Sequence, residues 1–243
     1  MNSFPGGSVL ALIPARGGSK GIPRKNLRKL AGLSLVEHSI RHALESKSVD
    51  RVMVSTDDPE IANVALKAGA EVPLLRPAEL AGDEVLDLPV FVHALQHLEC
   101  AENYKPELVV HLRPTAPFRK PEWIDQCVEL LRTDRNASSV RSVSLVQQHP
   151  YRVFRINEGS GFLDPIMRNE HEFPYLLRRQ DLPEMYLYNC VIDVTRRSTI
   201  LGNRSMTGDA IKPFIMHPSE VVDIDTPRDL MVAEFLMEKG AGA

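Results

Sequence analysis

Two groups of residues in this chain have the types and spacing to do chemistry. The first is Arg16, Lys20, Arg24 and Lys25, four cations placed among Gly17, Gly18 and Gly21 just after the apolar run Val9 to Ile13. A glycine-rich turn at the end of a first strand lets the backbone approach an anion closely, with N–H groups turned inward. The four cations add charge that can neutralise a triphosphate. The second group is Asp223 and Asp225, two apart on a segment read as extended. Side chains alternate along such a segment, so both carboxylates share a face and can hold a hard divalent cation, with waters and phosphate oxygens completing its shell. Alone, the acidic pair reads equally well as a surface pair or a helix cap. A triphosphate loop elsewhere in the chain favours the metal reading. Together the two groups suggest Mg²⁺-assisted nucleotidyl transfer, in which a hydroxyl attacks the α-phosphorus of a nucleoside triphosphate and pyrophosphate leaves. The glycine loop fits neither G-x-x-x-x-G-K-[ST] nor G-x-G-x-x-G. The bland alternative is a solvated basic loop, which the density of glycine and charge disfavours.

The elements that must position these residues alternate along the chain. The run Val9 to Ile13 reads as a buried strand. Ser34 and Glu37 form a capping box for a helix reaching about Ser46. Arg51 to Thr56 is a strand; Asp58 caps and Pro59 opens a helix that Gly69 stops. Glu71 to Leu75 is expected as a short third strand, and a helix as covering about Leu88 to Glu102. Leu108 to Leu112 is the fourth strand. Pro121 starts the next helix, and Ala137 to Val143 is the fifth strand. Alternation with short connections predicts an α/β fold: a doubly wound, mainly parallel sheet, Rossmann-like. Ligands bind such sheets outside the carboxyl ends of the strands. The polar loops Arg16 to Lys25, Thr56-Asp57, Arg76 to Asp83 and Arg113 to Arg119 all fall on that side. From about Gln147 to Asp181 the alternation stops, and an insertion at approximately 147–187 is expected within a single domain spanning 1–243. Tyr188 to Val194 and Ile211 to His217 resume strand character, and Thr226 caps a final helix to about Glu238.

Composition bounds the function. Charged residues make 25% of the chain, hydrophobic residues 43%, and the net charge is −3. No basic stripe with interleaved aromatics is present, which argues against nucleic acid. No apolar stretch is long enough for a membrane span, and Met1 to Ser8 lacks the features of a signal peptide, so a cytoplasmic protein is expected. Cys100, Cys127 and Cys190 are odd in number and far apart, which suits reduced thiols; Cys100, Cys127 and Trp123 are expected in the core. The pairs His38/His42 and His93/His97 have metal-ligand spacing, but they lie on helices expected to pack beside the sheet, which favours a structural role.

Residues 13 to 27, Ile-Pro-Ala-Arg-Gly-Gly-Ser-Lys-Gly-Ile-Pro-Arg-Lys-Asn-Leu, strongly resemble the glycine loop of the acylneuraminate cytidylyltransferases, which make CMP-activated sialic and related nonulosonic acids. Val54-Ser55-Thr56-Asp57, Leu75 to Ala81, Arg179-Gln180 and Val222 to Asp225 support the match in the family's order. The resemblance implies a CTP-dependent enzyme acting on a nine-carbon acidic sugar, with Mg²⁺ as cofactor. It implies that Arg16 and Lys25 grip the triphosphate, with Ala15, Gly17, Ser19, Lys20 and Asn26 supporting the phosphates and the loop. Arg76 would hold the nucleotide, and Asp223 and Asp225 the metal, with one of them assisting deprotonation of the attacking hydroxyl. Arg179, Gln180 and Asn189 would serve the sugar, and a homodimer with shared active sites follows from the family. Three departures matter. Arg113 stands where glutamine is common; it could pair with a substrate carboxylate or a phosphate, or make a structural salt bridge. Asp83, Glu84 and Asp87 stand where small hydroxyl residues are usual. Asp87 would accept from cytosine N4–H₂, and equally from guanine N1–H and N2–H₂. Cys190 replaces a glycine after Asn189. His149, His171 and Arg178, in the insertion, could touch substrate. The alternatives are a guanylyltransferase for a modified sugar, supported by Asp87 alone, and a catalytically silent nucleotide-sugar binding protein.

Overall fold

The computed structural model describes residues 7–168 and 173–240, so His171 lies outside it. Among the described residues ten strands follow in chain order: β1 (Val9–Pro14), β2 (Lys29–Leu30), β3 (Leu33–Ser34), β4 (Arg51–Ser55), β5 (Leu108–His111), β6 (Ser139–Leu145), β7 (Phe154–Ile156), β8 (Leu163–Pro165), β9 (Tyr186–Arg196) and β10 (Ile211–Met216). The helices are α1 (Leu35–Glu45), α2 (Pro59–Lys67), α3 (Asp87–Glu102), α4 (Pro121–Thr133), α5 (Arg197–Leu201) and α6 (Pro227–Glu238). Six strands make the central sheet in the order β10-β6-β9-β5-β1-β4. All run parallel except β9, which is antiparallel to both β5 and β6.

The alternation of β1 explains why both faces are covered. Val9, Ala11 and Ile13 point into a cluster with Val36 and Ile40 of α1 and Ile124 and Val128 of α4. Leu10 and Leu12 point to the other face, against Val90, Phe91, Leu95 and Leu98 of α3. A strand buried on both sides reads as a continuous apolar run, as β1 does. A third cluster joins Ile22 of the glycine loop, Leu30, Leu35, Ile224 and Ala233 of α6. Ile224 is fully buried there, and burying such a side chain contributes about 1.5–3 kcal/mol. That contact fixes the acidic segment against the glycine loop.

Ser34 and Asp58 cap α1 and α2 as expected, and Thr226 with Asp229 forms a second capping box at α6. The expected third strand, Glu71 to Leu75, is reduced to a single parallel bridge between Glu71 and Met53. Pro73 has no N–H for the ladder, and the chain turns away toward Arg76. The fifth strand lies at Ser139–Leu145, two residues later than Ala137 to Val143. Between the glycine loop and α1 sits an unanticipated hairpin, β2–β3, whose turn residues Ala31 and Gly32 have φ of 48° and 88°. Two positive φ values make the tight turn whose twist matches paired strands. In the insertion, β7 and β8 form a separate two-stranded sheet. Cys127 is buried, whereas Cys100 is exposed on α3, contrary to its expected place in the core. Trp123 is only half-buried, with the Lys120 ammonium 5.0 Å above its ring.

Candidate active site

The carboxyl ends of β1 and β5 open onto one cleft of about 380 Å³, lined among others by Arg16, Lys25, Asn26, Arg76, Asp87, Arg113, Cys190, Asp223 and Asp225. The glycine loop is held by its own side chains. Asn26 is buried and its Nδ2 donates to the Arg16 carbonyl at 2.9 Å. Ala15 is buried, its N–H donating to the Ser55 carbonyl at 2.9 Å. The Gly17 N–H, expected to face an anion, donates instead to Asp57 Oδ1 at 2.9 Å. A Cβ on Gly17 would fall 2.8 Å from Asp58 Oδ2, so only glycine fits at that crossing. Gly17, Ser19 and Lys20 do not line the cleft. Arg16 Nη1 lies 2.6 Å from Asp83 Oδ1, and Lys20 Nζ lies 3.0 Å from Asp83 Oδ2.

The two ends of the chain meet here. Lys25 Nζ donates to Asp225 Oδ1 at 2.9 Å, across 200 residues of sequence. The Ile224 N–H donates to the Thr115 carbonyl at 2.9 Å, which locks the acidic segment to the loop after β5. A Cβ on Gly21 would lie 2.4 Å from the Asp225 carbonyl oxygen, so this glycine permits the close approach of loop and acidic segment. Asp223 and Asp225 lie on irregular backbone rather than in a strand, yet both line the cleft. Asp223 Oδ1 is buried with no hydrogen-bond partner. Burial, with the neighbouring Asp225 charge adding to it, raises the Asp223 pKa against the opposing Thr115 hydrogen bond. An orphaned, desolvated carboxylate oxygen beside a second carboxylate fits a hard divalent cation whose remaining ligands come from phosphate and water. No group of three or more candidate metal ligands occurs among the described residues.

The wall opposite the glycine loop is ionic. Arg113 Nη1 donates to Tyr188 Oη at 2.6 Å and to Asp193 Oδ2 at 3.0 Å, and Nη2 donates to Asp87 Oδ2 at 2.8 Å. Burial opposes the Arg113 charge, but Asp193, Tyr188 and Asp87 outweigh it and raise its pKa. Arg141 Nε donates to the other Asp193 oxygen at 3.2 Å and stacks over the Tyr188 ring at 3.9 Å. Behind them Arg119 is buried, donating to the carbonyls of Val191 and Arg113. Burial, then the Arg113 charge, lowers its pKa to about 9. His111 is fully enclosed, and burial first, then Arg113, keeps its imidazole neutral well below its ordinary pKa.

A bulge in β9 makes this wall. Arg141 pairs with Asp193 and Val143 with Tyr188, so Ser142 alone lies opposite the four residues Asn189 to Ile192. The three extra residues bring Tyr188 and Asp193, five apart in sequence, onto the same face. Cys190 sits in the bulge with φ of 61°, the left-handed region that suits glycine, and lines the cleft. Asn189 turns inward: its Oδ1 accepts from Ser142 Oγ at 2.6 Å and its Nδ2 contacts Met216 Sδ. Its side chain is thus spent on the sheet rather than aimed at the cleft.

Arg179 and Gln180 are not brought to this cleft. They line a groove within the insertion, with Gln147, Gln148 and Glu184. His149 is engaged with the Pro183 carbonyl and the Tyr151 N–H, and Arg178 with Asp181. His38 and His42 are buried, and His38 Nε2 meets the Leu30 carbonyl at 2.8 Å. Sequence reasoning did not single out Thr115 or Asp193 as parts of the site. Asp193 carries a readable signal, a lone carboxylate inside the apolar run Val191 to Val194.

The model of the cytidylyltransferase family matches residues 10–201. The chain belongs to that family. It is 36% identical over 231 residues to the CMP-N,N'-diacetyllegionaminic acid synthase of Legionella pneumophila, covering 95% of this chain and 96% of that protein. It is 33% identical to the pseudaminic acid cytidylyltransferase of Campylobacter jejuni, covering 93% and 95% respectively. It is 34% identical to the N-acylneuraminate cytidylyltransferase of Oncorhynchus mykiss, covering 93% of this chain and 49% of that protein. A CMP:2-keto-3-deoxy-manno-octonic acid synthetase complexed with CTP shares the fold, with a TM-score of 0.70 at 19% identity over 96% of this chain and 99% of that one. The expected family and the mainly parallel α/β fold are thus both found.

Proposed function

We propose that this cytidylyltransferase moves CMP from CTP to the anomeric hydroxyl of a sialic-acid-like nonulosonic acid, releasing pyrophosphate, with Mg²⁺ as cofactor. The observation that carries the reading is the Lys25–Asp225 contact, which joins a triphosphate-binding loop to a metal-binding pair in one cleft. Arg16 and Lys25 neutralise the phosphates. Entry of a triphosphate frees Arg16 from Asp83, since both anions compete for the same guanidinium. Asp223 and Asp225 would hold the cation, which when bound polarises the α-phosphate. The hydroxyl's oxygen attacks the α-phosphorus, its proton passing to a carboxylate of that pair or to water, and the phosphorus–oxygen bond to pyrophosphate breaks. The guanylyl alternative rested on Asp87, and family membership favours cytidine over it.

The proposed assembly is a cytoplasmic homodimer. Exposed Ile156, Phe162, Leu163 and Leu176 give the insertion an apolar surface, as an interface would. Arg179 and Gln180 would then act on an acidic sugar in a site completed by two subunits. No helix among the described residues is long and apolar enough to cross a membrane.

The test is a matrix of nucleoside triphosphates against legionaminic, pseudaminic and N-acetylneuraminic acids with Mg²⁺, reading pyrophosphate. Release is expected with CTP and at least one acid, and EDTA should stop it. No release with CTP and any of the three overturns the reading.

A further inference from the structure

Two carboxylates other than the metal-binding pair line the cleft, and they differ in what they have left to offer. Asp83 is tied to two cations of the glycine loop, Oδ1 to Arg16 and Oδ2 to Lys20, which keeps it beside the phosphate-binding residues even when a triphosphate takes Arg16. Asp87, at the start of α3, has Oδ2 on Arg113 Nη2 at 2.8 Å, while its Oδ1 has no hydrogen-bond partner among the described residues. Val85 and Val90 flank Asp87 in the cleft lining, an apolar setting suited to the faces of a flat ring. The cations that suit phosphate, Arg16 and Lys25, belong to the glycine loop instead.

Arg113 is not free to bind a substrate carboxylate with its whole fork. One Nη is spent on Tyr188 and Asp193, and the other holds Asp87. Asp193 is buried and is gripped from its other oxygen by Arg141. Arg119 and Ser39 bind the Arg113 carbonyl, so backbone and side chain are both anchored. Such a chain of charge-assisted bonds fixes the Asp87 carboxylate in one orientation.

We propose that Asp87 Oδ1 reads the nucleobase by accepting from the exocyclic amino group of cytosine, and that Arg113 is the positioning residue that aims it. This rests on the cytidylyl-transfer reading. Cytosine presents an amino donor at C4, whereas uracil presents a carbonyl oxygen there. Opposite a carboxylate, that oxygen sets two acceptors face to face, leaving both unpaired on desolvation. The network therefore selects CTP against UTP with a group that repels the wrong base as well as holding the right one.

The experiment is calorimetric titration of the full chain with CTP, UTP and GTP in Mg²⁺, without any acid acceptor. Wild type should bind CTP at least about 100-fold more tightly than UTP. Asp87→Asn should bring the two within about 10-fold, because an amide can turn either its donor or its acceptor to the base. Arg113→Gln should cut the CTP/UTP ratio at least 5-fold, and Arg113→Lys should restore part of it. A merely structural role for Arg113 would weaken both nucleotides alike and leave the ratio unmoved. An unchanged ratio in Asp87→Asn, or wild-type affinity for UTP equal to that for CTP, overturns the proposal while leaving CTP-dependent pyrophosphate release intact. Failure of all three nucleotides to bind overturns the transfer reading itself, and this one with it.

Discussion

Lys25 and Asp225 show how single side chains define this site. Asp225 is 69% exposed at its side chain, so removing it costs little packing, less than about 1 kcal/mol. Asp225→Ala should leave the thermal transition nearly unchanged while cutting the rate of pyrophosphate release at least about 100-fold, because on the proposed reading a metal ligand is lost. A variant that keeps wild-type turnover would mark the pair as structural. Gly21 makes the opposite kind of prediction. The Cβ of Gly21→Ala would meet the Asp225 carbonyl at 2.4 Å, a backbone atom that can yield only if the acidic segment shifts. Overpacking of this kind costs about 1–3 kcal/mol, and a displacement near 1 Å at reacting groups costs about 100-fold in rate. Both a lower melting temperature and a lower kcat are expected, measured on the same preparation. At this scale the sequence was informative where residue type alone carries the chemistry. Arg16, Lys25, Asp223 and Asp225 do line one cleft. It was uninformative where orientation decides, as for Asn189, whose amide turns into the sheet.

Among the elements, β9 carries what local pattern could not reveal. Its apolar alternation is legible, and a strand over Tyr188 to Val194 follows from it. The direction of the strand and its bulge depend on partners far away in sequence, so neither could be read from the residues alone. The third strand failed for a related reason: Glu71 to Leu75 is apolar enough, but Pro73 denies it a ladder. Helix ends were legible because capping chemistry is local, and Ser34, Asp58 and Thr226 all cap as their types predict. The bulge yields a prediction of its own. Cys190 holds φ of 61° without being glycine, and a left-handed non-glycine residue costs about 1–2 kcal/mol. Part of that is returned by the greater freedom of glycine in the unfolded chain. Cys190→Gly should therefore raise stability by up to about 1 kcal/mol, whereas Cys190→Ala, which keeps the strain, should not. Chemical denaturation of the three proteins separates the cases; equal gain in both variants would place the cost in the thiol rather than the backbone.

For the molecule as a whole, the even charge balance and the exposed apolar insertion point to association rather than to a polyanion partner. Leu163, 65% exposed on β8, is a natural test: Leu163→Asp should convert a dimer to a monomer in light scattering. A wild-type monomer would remove the shared site from the proposed assembly. Acid stability is also a property of the whole fold, because several histidines are folded into it uncharged. His42 is the clearest: burial first, then the Arg119 and Arg41 charges, lowers its pKa from 6.5 to about 2. His38 and His111 are lowered too, by burial foremost. A histidine whose folded pKa is depressed binds its proton only on unfolding over this range, so the unfolded state carries more protons. Stability is then fully present above pH 6.5 and is lost as pH falls toward the folded value. Between pH 7 and pH 5 the His42 contribution alone is about 2 kcal/mol. Denaturation at the two pH values should show a loss of at least that size. In His42→Leu the loss should be smaller by about 2 kcal/mol, since the deleted ring no longer titrates in the unfolded chain; an identical pH dependence in the variant would show that His42 titrates in the folded protein as it does in the unfolded chain.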